Sequence, residues 1–168
     1  MFRPLLATLL IVCAALPAFA ADSERGVIYL TRHASTVEDG SRDPELCPMG
    51  WYSARALANL LEPVGIRTIL SSSLIRTQQT ARPLSVRTDT PITVVEVAGD
   101  VHQHAAEVAR RAASSHGSVL VVGHSNTVPA IIRALGGPII DDLKHDQFGD
   151  LFVLRPDGEM QKLRYGDD

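Results

Sequence analysis

Cysteine is nearly absent from this chain, with Cys13 and Cys47 the two in 168 residues. Cys13 falls in an N-terminal stretch with the marks of a removable leader, so no intrachain disulfide is expected and packing must hold the domain. Cys47 has no Cys–His motif around it and reads as a filler rather than a reactive thiol. Charge of one sign is also scarce. The net charge is −3 at pH 7, and losing Arg3 with the leader would make it one unit more negative. That argues against a nucleic-acid groove and against docking on an anionic membrane. Residues 21–168 contain no internal repeat, low-complexity tract or linker, and the few aromatics, 5% of the chain, read as core or loop packing.

Long apolar runs are missing too. Leu5–Leu16 is 12 residues, short of the roughly 20 that a membrane span requires. Arg3 before it and Ala18-Phe19-Ala20 after it complete the pattern of a signal peptide. Residues 1–20 are therefore expected to be a signal peptide and 21–168 one domain. The protein would be periplasmic or secreted, with no stable membrane anchor after cleavage.

What is present is a set of short apolar strands that end in chemistry. Val27-Ile28-Tyr29-Leu30 reads as a strand buried on both faces, and it runs into Thr31-Arg32-His33. Val119–Val122 repeats the arrangement and ends in Gly123-His124-Ser125-Asn126. Between them lie a polar loop over 34–48, a helix over 50–61, a strand over 66–70, a helix over 74–84, and a strand over 92–97. A helix over 105–115 follows. After the Val119 strand come a helix over 125–135 and a closing hairpin of 151–154 with 160–163. Strands alternating with helices predict an α/β fold: a single three-layer domain, its sheet largely parallel, with helices on both faces.

Open α/β sheets bind ligands at the carboxyl ends of their strands. Arg32, His33 and His124 fall there, and Arg76 lies in the first turn of the 74–84 helix, whose amino end also favours anions. A metal-free phosphoryl transfer needs a nucleophile, cations around the equatorial oxygens and a proton donor for the leaving group. Neutral histidine can attack phosphorus, and arginine binds phosphate bidentately while staying charged.

In four ordered blocks the sequence resembles the histidine phosphatase superfamily, also called phosphoglycerate mutase-like. The blocks are Leu30-Thr31-Arg32-His33, Pro48-Met49-Gly50, Ser71 to Ala81 through Arg76-Thr77-Gln78-Gln79-Thr80, and Val121-Val122-Gly123-His124-Ser125-Asn126. Ala34 and Ser35 depart from the Gly and Glu that usually follow the histidine. The resemblance implies a phosphoglycerate mutase-like fold and a phosphatase that hydrolyses phosphomonoesters with no metal or other cofactor. His33 would be the phosphorylated nucleophile, and Arg32, Arg76 and His124 would bind the phosphate. The family's proton donor is an acid after the third strand. Glu96 fits that place best and Asp100 second, although one of them could instead cap a helix beginning near His102.

The substrate would be a phosphorylated small molecule, an envelope sugar phosphate or a phosphoprotein. Two other readings compete. One is a phosphate-binding module without turnover. The other is a serine acyl hydrolase, since strand–Gly-His-Ser–helix imitates a nucleophile elbow, with Ser125 as nucleophile and Asp141, Asp142 and His145 as nominal partners. That reading leaves Arg32, His33 and Arg76 without a purpose. His102 and His104 lack companion ligands for a metal and read as solvated loop residues.

Overall fold

The computed structural model describes residues 25–97 and 99–166. The expected signal peptide lies outside them. Six strands form one sheet: β1 (Arg25–Arg32), β2 (Thr68–Ser72), β3 (Ile92–Val95), β4 (Gly117–Gly123), β5 (Asp150–Leu154) and β6 (Met160–Arg164). Their spatial order is β3-β2-β4-β1-β5-β6. The first four run parallel, while β5 and β6 are antiparallel additions along one side. The expected mostly parallel α/β domain is what forms.

Four helices cover the sheet: α1 (Pro48–Leu61), α2 (Ile75–Thr88), α3 (Val101–Ala113) and α4 (Thr127–Ala134). The alternation of side chains along β4 explains the three layers. Val119 and Val121 pack on one face with Val108, Ala112 and Ile131 from α3 and α4. Leu120 and Val122 pack on the other with Leu57, Leu61 and Leu84 from α1 and α2. A central strand apolar on both faces must be covered on both. Each fully buried leucine or isoleucine contributes about 1.5–3 kcal/mol relative to exposure.

Of the boundaries that differ from the sequence reading, three in particular have a physical reason. Ile66 is buried before β2 begins, so the strand runs two residues later than expected and carries Ser71 and Ser72 into the sheet. α2 continues past Pro83 to Thr88, ending at Asp89 in the left-handed region with φ 51°. α3 starts at Val101, well before Ala105, because the Asp100 carboxylate accepts from the Gln103 backbone N–H and caps it. His102 and His104 are therefore helical, and His104 is buried, which corrects their expected place in a solvated loop.

The chain crosses from β1 to β2 on the far side of β4, so β1 and β4 lie side by side at the centre of the sheet. Their ends are in register, Arg32 opposite Gly123, and the His33 backbone N–H donates to the Gly123 carbonyl at 2.9 Å. One hydrogen bond thus sets the two histidine-bearing turns next to each other. Gly123 allows the turn that follows. A Cβ there would lie 2.8 Å from Thr127 Oγ1 and 3.1 Å from Val128 Cγ2. Gly50 in the first turn of α1 has the same role against the other turn, where a Cβ would sit 2.0 Å from the Ser35 carbonyl oxygen.

Candidate active site

At the carboxyl edge of the parallel strands lies a cavity of about 660 Å³ whose wall includes Arg32, His33, Arg76 and His124. Four of the five expected site residues are brought together. An apolar depression of similar size, about 620 Å³, lies between α1 and the β5–β6 hairpin. It is walled by Leu60, Leu61, Val64 and Val153 and holds no comparable ionisable cluster.

His33 is buried, and its Nδ1 lies 2.9 Å from the Ala34 carbonyl oxygen. A carbonyl accepts only, so the ring proton resides on Nδ1 and Nε2 keeps its lone pair. Burial, and then the nearby Arg32, His124 and Arg76, push the His33 pKa down to about 3 against the smaller opposing effect of the Ala34 carbonyl. At neutral pH the ring is neutral with a free nucleophilic nitrogen. The Ala34 backbone N–H donates to Thr80 Oγ1 at 2.9 Å, which ties the turn after His33 to α2.

His124 stands beside it, ring centroids 5.5 Å apart. Its Nε2 is 2.9 Å from Ser72 Oγ, which in turn is 2.8 Å from Thr77 Oγ1. The end of β2 and the first turn of α2 therefore aim this ring. Its Nδ1 is buried with no partner among the described residues, a polar atom that a bound anion could satisfy. Burial first, then Arg76, His104 and Arg32, bring its pKa down to about 4, with Asp43 opposing.

Arg32 is anchored rather than loose. Its Nη1 donates to the carbonyls of Lys144 (2.9 Å), His145 (2.9 Å) and Gln147 (3.2 Å). The guanidinium carbon lies 4.0 Å from the centroid of the Phe148 ring, in cation–π range. Burial and Arg76 lower its pKa while Asp146 raises it, and a guanidinium stays charged regardless. Arg76 is held from outside the cavity: Nη1 donates to Asp43 Oδ1 at 3.1 Å. The two carboxylate oxygens of Asp43 also accept from the Ile75 backbone N–H at 3.1 and 3.0 Å. Leu74 gives α2 no side-chain cap, so Asp43 supplies one from the loop between β1 and α1. The sequence reading missed this residue because its partners lie 32 and 33 positions away.

Glu96 is the expected residue that does not join the others. β3 ends at Val95, which is buried, and the next side chain turns out to solvent. Glu96 is exposed and is not part of the cavity wall, whereas Asp100 is on the wall with its carboxylate engaged in capping α3. Ser125 also lines the cavity. Among the described residues no histidine is hydrogen-bonded to its hydroxyl, so the arrangement a serine hydrolase requires is not in place. The chain carries net negative charge, yet Arg32, Arg42 and Arg76 all border this one cavity. The local field suits a compact anion.

The family model described as histidine phosphatase superfamily (branch 1) matches residues 28–97. The protein histidine phosphatase SixA complexed with tungstate shares the fold with a TM-score of 0.63 at 21% identity, over 84% of this chain and 96% of that one. The putative phosphohistidine phosphatase SixA from Agrobacterium tumefaciens gives 0.62 at 24% identity, over 86% and 99%. Mycobacterial glucosyl-3-phosphoglycerate phosphatase gives 0.62 at 18% identity, over 85% and 99%. No curated protein matches by sequence. The family match covers β1 to β3, and the solved structures share the fold of the domain around it.

Proposed function

We propose that this protein is a phosphatase that hydrolyses phosphomonoesters through a covalent phosphohistidine on His33, without a metal. The observation that carries the reading is the protonation of His33: Nδ1 is committed to the Ala34 carbonyl, and Nε2 is left free between two arginines and a second histidine. Nε2 attacks phosphorus in line and the ester oxygen departs with its bonding pair. Water then displaces the phosphoryl group from nitrogen. Arg32, Arg76 and His124 hold the equatorial oxygens in both steps, where charge spreads. Pinned by carbonyls and by Asp43, the two arginines need little reorganisation as that charge develops.

The substrate class is a phosphorylated small molecule or phosphoprotein. The solved relatives are titled as phosphatases of protein histidine and of glucosyl-3-phosphoglycerate, which supports a phosphorylated ligand. The N-terminal pattern supports export, so an envelope phosphate is the substrate we place first. Cell fractionation, with sequencing of the mature amino terminus, tests that placement; a full-length chain recovered from the cytoplasm contradicts it. For the chemistry, hydrolysis of p-nitrophenyl phosphate is followed with EDTA present, beside His33→Ala. Activity that survives EDTA and disappears in the variant is expected. Activity in a folded His33→Ala protein overturns the reading.

A further inference from the structure

The corner between β3 and α3 brings to the cavity a histidine that the scheme above leaves unused. His104 lies in the first turn of α3, is 4% exposed, and lines the cavity together with Asp100 and Val101. It is near enough to His124 to oppose protonation of that ring. Its Nδ1 is 3.1 Å from the Glu96 carbonyl oxygen. Because that acceptor holds a proton on Nδ1, Nε2 is the ring nitrogen left for a ligand, and it has no hydrogen-bond partner among the described residues.

We propose that His104 exchanges the leaving-group proton, which makes alkyl phosphates, with their strongly basic leaving oxygens, the substrates this site is built for. The inference rests on the phosphatase reading above. In the first step the His33 Nε2 lone pair forms the P–N bond as the P–O bond breaks. The departing oxygen keeps the bonding pair and takes the Nε2 proton of an imidazolium at His104, leaving a neutral alcohol and a neutral ring. In the second step His104 Nε2 takes a proton from water, the hydroxide oxygen bonds to phosphorus, and the P–N pair returns to His33. Phosphate leaves and both histidines are restored. The Glu96 carbonyl accepts from Nδ1–H throughout, so Glu96 contributes through its backbone and not its carboxylate. Neither acid competes well on position: the Glu96 side chain is exposed off the cavity wall, and Asp100 Oδ1 is 2.9 Å from the Gln103 N–H that it caps.

The test compares p-nitrophenyl phosphate, whose leaving group departs unprotonated, with glycerol phosphate, whose alkoxide does not. The protein is expressed from the full-length chain as wild type, His104→Asn, Glu96→Gln and Asp100→Asn. Asparagine can place its amide nitrogen where Nδ1 was and keep the bond to the Glu96 carbonyl while removing Nε2. For His104→Asn, kcat/KM on glycerol phosphate is expected to fall by about 10²–10⁴-fold, and on the aryl ester far less. Equal losses on both esters, or no loss on either, overturn the proposal, as does a selective loss in Glu96→Gln or Asp100→Asn instead. A second measurement needs no variant: wild-type kcat across phosphate esters of graded leaving-group pKa should vary only weakly. A steep dependence overturns the proposal even if every variant misfolds. Wild-type protein that hydrolyses neither ester would instead bring down the phosphatase reading itself.

Discussion

The two sides of the cavity are made differently. On one side Arg32, His33 and His124 grow directly from the ends of β1 and β4, buried strands at the middle of the sheet. His33 is fixed by the neighbouring Ala34 carbonyl, the two strand ends by their register, Arg32 by carbonyls of the segment before β5, and His124 by Ser72 at the next strand end. On the other side stand the 34–47 loop and the β3–α3 corner, where Arg42, Val97 and Asp100 are exposed. In the proposed reaction the first side binds and transfers the phosphoryl group. The second would meet the rest of the substrate. A rigid phosphate end and a variable leaving-group end separate chemistry from specificity.

Substitutions sharpen that division. The largest effect belongs to His33→Ala, which should lower kcat on p-nitrophenyl phosphate by about 10⁴-fold or more, as loss of a nucleophile does. Arg76→Ala should cost about 3–4 kcal/mol of transition-state stabilisation, read mainly in kcat. An unchanged kcat would remove Arg76 from the site. The rigid side also makes a prediction about stability. His33 and His124 are held neutral in the fold, with pKa values of about 3 and about 4 against an ordinary 6.5. The unfolded chain therefore binds more protons below pH 6.5, and stability falls as pH drops toward those values. Each histidine should cost about 2 kcal/mol between pH 6.5 and 5. Urea titrations at the two pH values check this, and His33→Gln should flatten the slope.

On the opposite side the effects are smaller. Asp43→Ala should lower stability by about 0.5–2 kcal/mol through the lost cap on α2 and should reduce kcat more than it raises KM, because Arg76 loses its anchor. A rise in KM alone would mean that Asp43 only shapes the entrance. The smallest effect is expected of Arg42→Ala. This rim cation should change kcat/KM for anionic substrates by about threefold, with the difference vanishing at high salt. A larger effect there than at Arg76 would invert the comparison.

The same division separates what could be read in the sequence from what could not. β1 and β4 are uninterrupted apolar runs followed at once by Arg-His and Gly-His, so strand, end and chemistry are all local signals. Arg76 is legible because it opens a helix just after a strand. Asp43 is not, since it acts across more than thirty residues on a helix terminus and an arginine, and no local pattern marks it. The β3–α3 corner misleads for a subtler reason. In the sequence Asp100 fits either a proton donor or a cap, and as the cap it draws α3 back to Val101 and turns His104 inward. With β3 ending at Val95, Glu96 faces solvent. A shift of a few residues in two boundaries exchanges a carboxylate for a histidine at the cavity wall.

A covalent phosphohistidine is tested by trapping the protein during turnover of an aryl phosphate, quenching in alkali where phosphohistidine survives, and mapping the adduct by mass spectrometry. One phosphoryl group is expected on the peptide containing His33, absent from His33→Ala. A phosphoryl group on His124, His104 or Ser125, or steady turnover with no adduct on any residue, would contradict it.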